Sequence, residues 1–255
     1  MDGVALGARF SLATNRLAYC GPADAEPTLY AAITGTGPAE PARRALARFE
    51  ALMPYLETIA RVHGRDPFDR EVVEAYWIGN ALLDGVPRSA FVALLEALGG
   101  RGLPRSIVRR LISRLPDGAI PHHLFHVAYV GVGAVTGHVE TTLANMEVCR
   151  PGWAFVVARA EDRLTVRHPR LEATGGRFAF GGEVEESVAF DPRVLPEAAV
   201  GAPIALHWRW PALRLTTEQL GALRHYSERS LAAANEARPP GPAEGLRAAP
   251  PPGGR

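Results

Sequence analysis

The chain has 255 residues, of which 47% are hydrophobic and 22% are charged, and this balance is typical of a globular protein with a sizeable core. The formal net charge is +1, so no overall basic field would attract nucleic acid or an anionic membrane, and we expect neither partner. Two cysteines are too few for a disulfide framework, the first residues lack a secretory leader, and apolar runs are too short to span a membrane. We therefore expect a cytoplasmic protein.

The first part of the chain predicts an arm followed by a helical domain. Residues 1–38 contain frequent Gly and Pro and little periodicity, which predicts an extended arm. Across residues 39–148 apolar side chains recur at spacings of three and four, which predicts a helical domain. We expect one of its helices to begin at Pro121 and continue to about Ala134, because proline is tolerated in the first turn of a helix.

After Cys149 the apolar period changes to two, which predicts short strands. Five short strands can close into a small barrel that has no exposed edge, and Thr216 then caps an amphipathic helix. Residues 149–236 thus predict a small antiparallel β-barrel with a C-terminal helix, and Pro, Gly, Ala and Arg in 237–255 predict a disordered tail. The predicted fold class is α+β, with a mostly helical N-terminal body before the barrel.

Three of the eight histidines lie close together, at His122, His123 and His126. On a helix His122 and His126 are four residues apart and share a face, so both imidazoles can bind one metal, whereas His123 points elsewhere. The spacing is that of a zinc-protease helix, but His123 stands where that helix has its glutamate base, so we reject the hydrolytic mechanism.

Cys149 follows this cluster, and a thiolate with neutral imidazoles suits zinc or iron. Cys20 precedes a turn, where it is either a small buried hydrophobe or a further ligand. The histidines have two other interpretations, in which they hydrogen-bond core carbonyls or transfer protons. The sequence contains no phosphate-binding glycine loop after a strand, no nucleophile elbow and no Cys-x-x-Cys pair, so it leaves open whether the protein is an enzyme.

Several short runs resemble an uncharacterised bacterial and archaeal family whose members tend to be encoded near nickel-iron hydrogenases. These runs are Tyr19-Cys20-Gly21-Pro22, Trp77-Ile78-Gly79-Asn80, His122-His123-Leu124-Phe125-His126-Val127, Cys149-Arg150 with Trp153, Leu206-His207-Trp208 and Ala233-Ala234-Asn235. The resemblance extends over nearly the whole chain to Asn235.

Residues 146–235 also resemble the small HypC/HupF-type hydrogenase assembly chaperones in layout. Cys149 precedes Pro151-Gly152, a turn at 200–202 precedes the strand that contains His207, and a helix follows. The resemblance implies an iron-related role for Cys149 and His207. Cys149 is internal, however, and Ala202 replaces the aspartate of the turn, so iron transfer through an N-terminal cysteine is not carried over.

The leading hypothesis is therefore an accessory protein of nickel-iron hydrogenase maturation that binds iron, or less favourably zinc, between the helical body and the barrel. The hydrogenase large subunit or other maturation proteins would be its partners. The predicted ligands are Cys149, His122, His126 and His207, with His123 and Cys20 less secure. The alternatives are a metal-dependent redox enzyme that uses the three clustered histidines on a small molecule, and a metal-free interaction module for a hydrogenase subunit.

Overall fold

The computed structural model describes residues 1–238 and contains ten α-helices and five β-strands in that range. The helices are α1 (Gly3–Arg16), α2 (Glu26–Thr34), α3 (Ala39–Leu46), α4 (Leu52–His63), α5 (Arg70–Trp77), α6 (Arg88–Gly100), α7 (Arg105–Ser113), α8 (His123–Phe125), α9 (Leu143–Cys149) and α10 (Thr217–Glu236). A 3₁₀ turn at Ala81–Leu83 and a π-helical turn at His126–Gly131 complete the helical elements of this range. The predicted combination of helices, an antiparallel sheet and a C-terminal helix is confirmed.

The five strands form one antiparallel sheet in the order β3-β2-β1-β4-β5. They are β1 (Gly152–Arg159), β2 (Arg163–Thr174), β3 (Arg177–Ala189), β4 (Pro203–His207) and β5 (Trp210–Arg214). The central strand β1 pairs with β4 so that Gly152 lies opposite Leu206. This register brings the start of β1, directly after Cys149, beside the end of β4, where His207 lies.

The sheet is open, so the predicted β-barrel is wrong. Among the described residues no ladder joins the two edge strands β3 and β5. These strands have 13 and five residues, so their edges do not match in length for closure. Helices α9 and α10 instead contact the sheet and bury one of its faces. The opposite face packs against apolar side chains of residues 190–198.

The extended arm predicted for residues 1–38 is also wrong, because this segment forms α1 and α2. Asp2 caps α1, where its side chain accepts a hydrogen bond of 2.8 Å from the Ala5 amide. Nearly all of α1 is buried, including its polar residues Arg9 and Asn15, so no solvent-facing polar stripe marks this helix in the sequence. A Cβ added to Gly3 would lie 2.0 Å from the Phe68 carbonyl oxygen, which shows how closely the neighbouring chain approaches.

The helix predicted from Pro121 to Ala134 is much shorter in the structure. His122 has extended backbone angles, α8 has three residues, and the following turn is π-helical until Gly131, whose φ is 111°. Gly131 can adopt this left-handed conformation because it has no Cβ. His122 therefore precedes the helix, and it does not lie on one helical face with His126.

One main apolar core extends through the helices and the inner face of the sheet. Asn235 fixes the C-terminal end of α10 to β3. Its side chain donates a hydrogen bond to the Phe178 carbonyl and accepts one from the Phe178 amide, both at 2.8 Å. In residues 1–238 no helix is both long and apolar enough to cross a membrane. The disordered tail predicted for 237–255 falls outside the described residues except at its first two positions.

Candidate metal centre

Three buried side chains from separate elements converge where the helices meet the sheet. His123 is the first residue of α8, Cys149 is the last of α9, and His207 is the last of β4. One ligand atom from each residue lies within 4.8 Å of the other two. Two imidazole nitrogens and a thiol sulfur at this separation can hold a transition metal after small side-chain adjustments, since metal bonds to these atoms are about 2.0 to 2.3 Å long.

His123 is oriented by a tyrosine of α5. Its Nδ1 lies 2.6 Å from the Tyr76 hydroxyl, while its Nε2 lies 3.1 Å from the Cys149 carbonyl oxygen and 3.7 Å from Cys149 Sγ. Because the Cys149 carbonyl only accepts, Nε2 carries the proton and donates to it, and the Tyr76 hydroxyl donates to Nδ1. Metal binding at Nε2 would require the proton to move to Nδ1, which would then donate to the Tyr76 oxygen. A metal-binding histidine commonly has such a partner on its other ring nitrogen.

A backbone carbonyl of α1 determines which ring nitrogen of His207 carries the proton. Its Nδ1 lies 2.6 Å from the Phe10 carbonyl oxygen, which only accepts hydrogen bonds, so Nδ1 carries the proton. The Nε2 lone pair is then directed away from that bond, and Nε2 is buried without a hydrogen-bond partner. A buried acceptor without a partner is unfavourable. A metal ion would satisfy it, so this residue fits a metal site.

Cys149 supplies the thiol. Burial raises its pKa well above the usual range and neighbouring Cys20 raises it further, while the Trp208 indole lowers it. Without a cation the thiol is therefore protonated at neutral pH, and a bound metal would favour the thiolate. The Val148 carbonyl accepts a 2.5 Å hydrogen bond from the Trp208 amide, which holds the end of α9 against the β4–β5 turn.

The histidines of the group are neutral at physiological pH. Burial lowers the pKa of His207 to about 4. Burial lowers the pKa of His123 well below its ordinary value, and nearby His207 and His126 lower it further. Neutral imidazole is the form that binds metal, so protons compete little for these two ligands above about pH 5.

A cavity of about 40 Å³ adjoins the group. Cys20 lines it together with the three candidate ligands, and Cys20 is partly exposed whereas they are buried. The loop that carries Cys20 is fixed by a ring contact between Tyr19 and Trp208, with centroids 4.6 Å apart. The predicted ligand Cys20 therefore lies at the edge of the site and outside the group of three.

The structure places the other two predicted histidines with different neighbours. The His122 Nδ1 is 3.2 Å from Ser230 Oγ of α10, and the His126 Nδ1 is 3.0 Å from the Tyr55 hydroxyl of α4. Burial lowers the pKa of His122 to about 3 and that of His126 to about 4. Neither residue belongs to the group of three, because the short α8 and the π-helical turn replace the periodic helix that the spacing argument assumed.

Sequence reasoning missed a charged network that fixes α9 to the sheet. The fully buried Arg150 donates from Nη2 to the Pro169 carbonyl at 2.6 Å and to Glu147 at 2.9 Å. His168 lies 3.0 Å from Glu186, which also accepts from Arg209 at 2.9 Å. This network holds the residue next to Cys149. The one sequence signal for it is the adjacency of Arg150 to Cys149.

The fold and the site define a mixed helix and sheet protein with a buried group of two histidines and one cysteine. Residues 1–240 match DUF6390, a family of unknown function, and the chain belongs to that family. No curated protein and no solved structure matches the chain.

Proposed function

We propose that this protein binds iron through His123, Cys149 and His207 and acts as an accessory protein in nickel-iron hydrogenase maturation. One observation supports the proposal most strongly. Cys149 and His207, for which the resemblance to HypC/HupF-type chaperones implies an iron-related role, have ligand atoms within 4.8 Å of each other. His123 joins them from the helical body, so the site lies between the helices and the sheet.

The set of three ligands favours a metal that the protein binds and transfers over a metal that only stabilises the fold. Structural zinc sites usually have four protein ligands, whereas this group provides three and leaves a coordination position open. A thiolate with two imidazoles also suits zinc and copper. Iron comes first because of the resemblance, and zinc comes second.

The partner follows from the same proposal. The hydrogenase large subunit or another maturation protein would receive the metal or supply it. Iron transfer through an N-terminal cysteine, as the resemblance to HypC/HupF-type chaperones would imply, does not apply, because Cys149 is internal and buried. The partly exposed Cys20 lies at the edge of the same cavity, and its loop is where we place the exchange route.

Metal analysis of protein purified without an affinity tag and without oxygen tests the proposal. We expect about one iron per chain in the wild type and loss of that iron in Cys149→Ala and His207→Ala. His138→Asn is the matched control, because His138 is exposed and is not a member of the group. Absence of both iron and zinc from the wild type, or equal metal in Cys149→Ala, would contradict metal binding at this group.

A second measurement tests the partner. We expect the tagged hydrogenase large subunit or maturation proteins to retain the wild-type chain in co-purification, and to retain metal-free Cys149→Ala less well. Equal retention of both would favour the metal-free interaction module. No retention of either would contradict the role in maturation while leaving metal binding intact.

A further inference from the structure

A second cavity is lined by residues of α1, of the segment before β4, of β5 and of the start of α10. Its volume is about 580 Å³. None of the candidate metal ligands lines it, so it is separate from the metal group. Pockets of about 300 to 1,000 Å³ commonly hold small organic molecules. This cavity is therefore large enough for a ligand of that class.

A buried arginine, Arg9 of α1, forms part of the cavity wall. The residue is only 9% exposed. Its Nη1 donates to the Val194 carbonyl at 2.6 Å and to the Ala212 carbonyl at 3.3 Å. In the described part of the chain Arg9 forms no ion pair with a carboxylate. Burial of a charge without an opposite charge is unfavourable, so an anion beside Arg9 would stabilise it.

Two nitrogens of the Arg9 guanidinium are not used by Nη1's carbonyl contacts. Nε is closed off from solvent and has no partner. Nη2 also has no partner among residues 1–238, but it is not closed off from solvent, so it faces the cavity that Arg9 lines. The hydrogens of Nη2 can be donated to an oxygen of a ligand. The cavity therefore has a defined position for an acceptor.

Apolar side chains form another part of the wall. Leu195, Leu213 and Leu215 line the cavity, and all three are buried residues. Their side chains favour contact with an apolar group, whereas Arg9 favours a negatively charged oxygen. A ligand that matches both parts of the wall has an apolar body and one anionic end.

The charges at the mouth of the cavity favour a ligand with a single negative charge. Arg214, Glu197 and Glu218 are exposed residues of the lining. Burial lowers the pKa of Arg9 and nearby Glu197 raises it, so Glu197 is close enough to act on an anion there. The backbone amide of Glu218 and the Thr216 hydroxyl lower the pKa of the Glu218 carboxyl, which already occupies the start of α10. A doubly charged phosphate would be repelled more strongly by these glutamates than a carboxylate would.

We propose that this cavity binds a small monocarboxylic acid, whose carboxylate accepts a hydrogen bond from Arg9 Nη2 and whose apolar body contacts the three leucines of the wall. Arg214 strengthens the binding of the carboxylate by its charge, and Glu197 weakens it. A metal at His123, Cys149 and His207 is not needed for this binding, so the site is independent of the proposed function.

Hexanoate and hexanol are the probes, because they share an apolar chain and differ in charge. Each is titrated into the isotopically labelled full chain, and the shifts of the amide resonances in nuclear magnetic resonance spectra give Kd. We expect a saturable change with hexanoate and about tenfold weaker binding of hexanol, because a hydrogen bond to a charged group contributes a factor of this order.

Three variants locate the bound carboxylate. Arg9→Met should weaken hexanoate binding about tenfold and leave hexanol binding unchanged. Arg214→Gln should weaken hexanoate binding about two- to fivefold, whereas Glu197→Gln should strengthen it about twofold because a repulsion is lost. Arg109→Gln is the matched control, since Arg109 is an exposed arginine of α7 that does not line the cavity, and it should change neither affinity.

If Arg9→Met fails to fold because its two carbonyl contacts are lost, the opposite effects of Arg214→Gln and Glu197→Gln decide. The proposal would be overturned by the absence of a saturable change with hexanoate, or by equal affinities for hexanoate and hexanol in the wild type. Weaker hexanoate binding in Glu197→Gln would also overturn it. None of these results would alter the metal content, which tests the proposed function separately.

Discussion

At the scale of single residues, the hydrogen-bond partners of the two candidate histidine ligands determine which ring nitrogen can bind a metal. The Tyr76 hydroxyl lies 2.6 Å from His123 Nδ1, and the Phe10 carbonyl lies 2.6 Å from His207 Nδ1. The Phe10 contact leaves Nε2 of His207 as the ligand nitrogen, and the Tyr76 contact does the same for His123 once the proton moves from Nε2, where it bonds the Cys149 carbonyl, to Nδ1. The Phe10 carbonyl cannot be removed by substitution, but the tyrosine can be tested.

We expect Tyr76→Phe to weaken metal affinity by about 10- to 100-fold, because the hydroxyl that orients His123 is lost. A chelator competition titration measures the change. Tyr55→Phe is the matched control, since the Tyr55 hydroxyl contacts His126, which lies outside the group of three. Equal affinities for the two variants would show that Tyr76 does not position a ligand.

At the scale of elements, α1 determines how close the helices approach the site. It carries Phe10, the carbonyl partner of His207, and it packs against α5, which carries Tyr76 and Trp77. Glycine at position 3 permits the close approach of the chain at Phe68. The position of α1 therefore depends on small residues at its contacts.

We expect Gly3→Ala to lower the free energy of unfolding by about 1 to 3 kcal/mol, because its Cβ would overlap the Phe68 carbonyl and force α1 to shift. Urea denaturation provides the measurement. Gly100→Ala is the control at a helical glycine with open space around its Cβ, and we expect it to stabilise the protein by about 0.4 to 1 kcal/mol. Similar effects of both substitutions would mean that α1 is not closely packed at Gly3.

At the scale of the whole molecule, four neutral histidines are buried in the core around the site. Burial lowers the pKa of His122 to about 3 and those of His126 and His207 to about 4, and it lowers the pKa of His123 well below the ordinary value. In the unfolded chain these imidazoles titrate near about pH 6.5. Between these values the unfolded state binds more protons than the folded state, so acid favours unfolding.

We expect stability to be complete above about pH 6.5 and to fall as the pH decreases toward about 4. Near pH 5 the difference approaches one proton for each of His122, His126 and His207, which corresponds to a slope of about 4 kcal/mol per pH unit for these three. Urea denaturation of metal-free protein at a series of pH values measures the slope. His126→Phe should reduce it by about a third, and a stability that does not change between pH 7 and 5 would contradict the prediction.

The sequence alone determined the features that depend on local chemistry. The change of apolar period after Cys149 predicted the antiparallel strands, and Thr216 predicted the last helix, whose capping box is present in the structure. Cys149 and His207 were candidate ligands because of the resemblance to HypC/HupF-type chaperones, and not because of a local pattern. Local patterns are informative here because strand alternation and helix capping depend on neighbouring residues.

Only the tertiary structure decided which histidine joins Cys149 and His207. The spacing of His122 and His126 assumed a regular helix, but the chain is extended at His122 and π-helical after Phe125, so His123 faces the group. The buried α1 was missed because even its polar residues Arg9 and Asn15 lie inside the protein, so the helix has no polar face toward solvent. The convergence of α8, α9 and β4 depends on contacts between residues far apart in the sequence, and those contacts exist only in the folded chain.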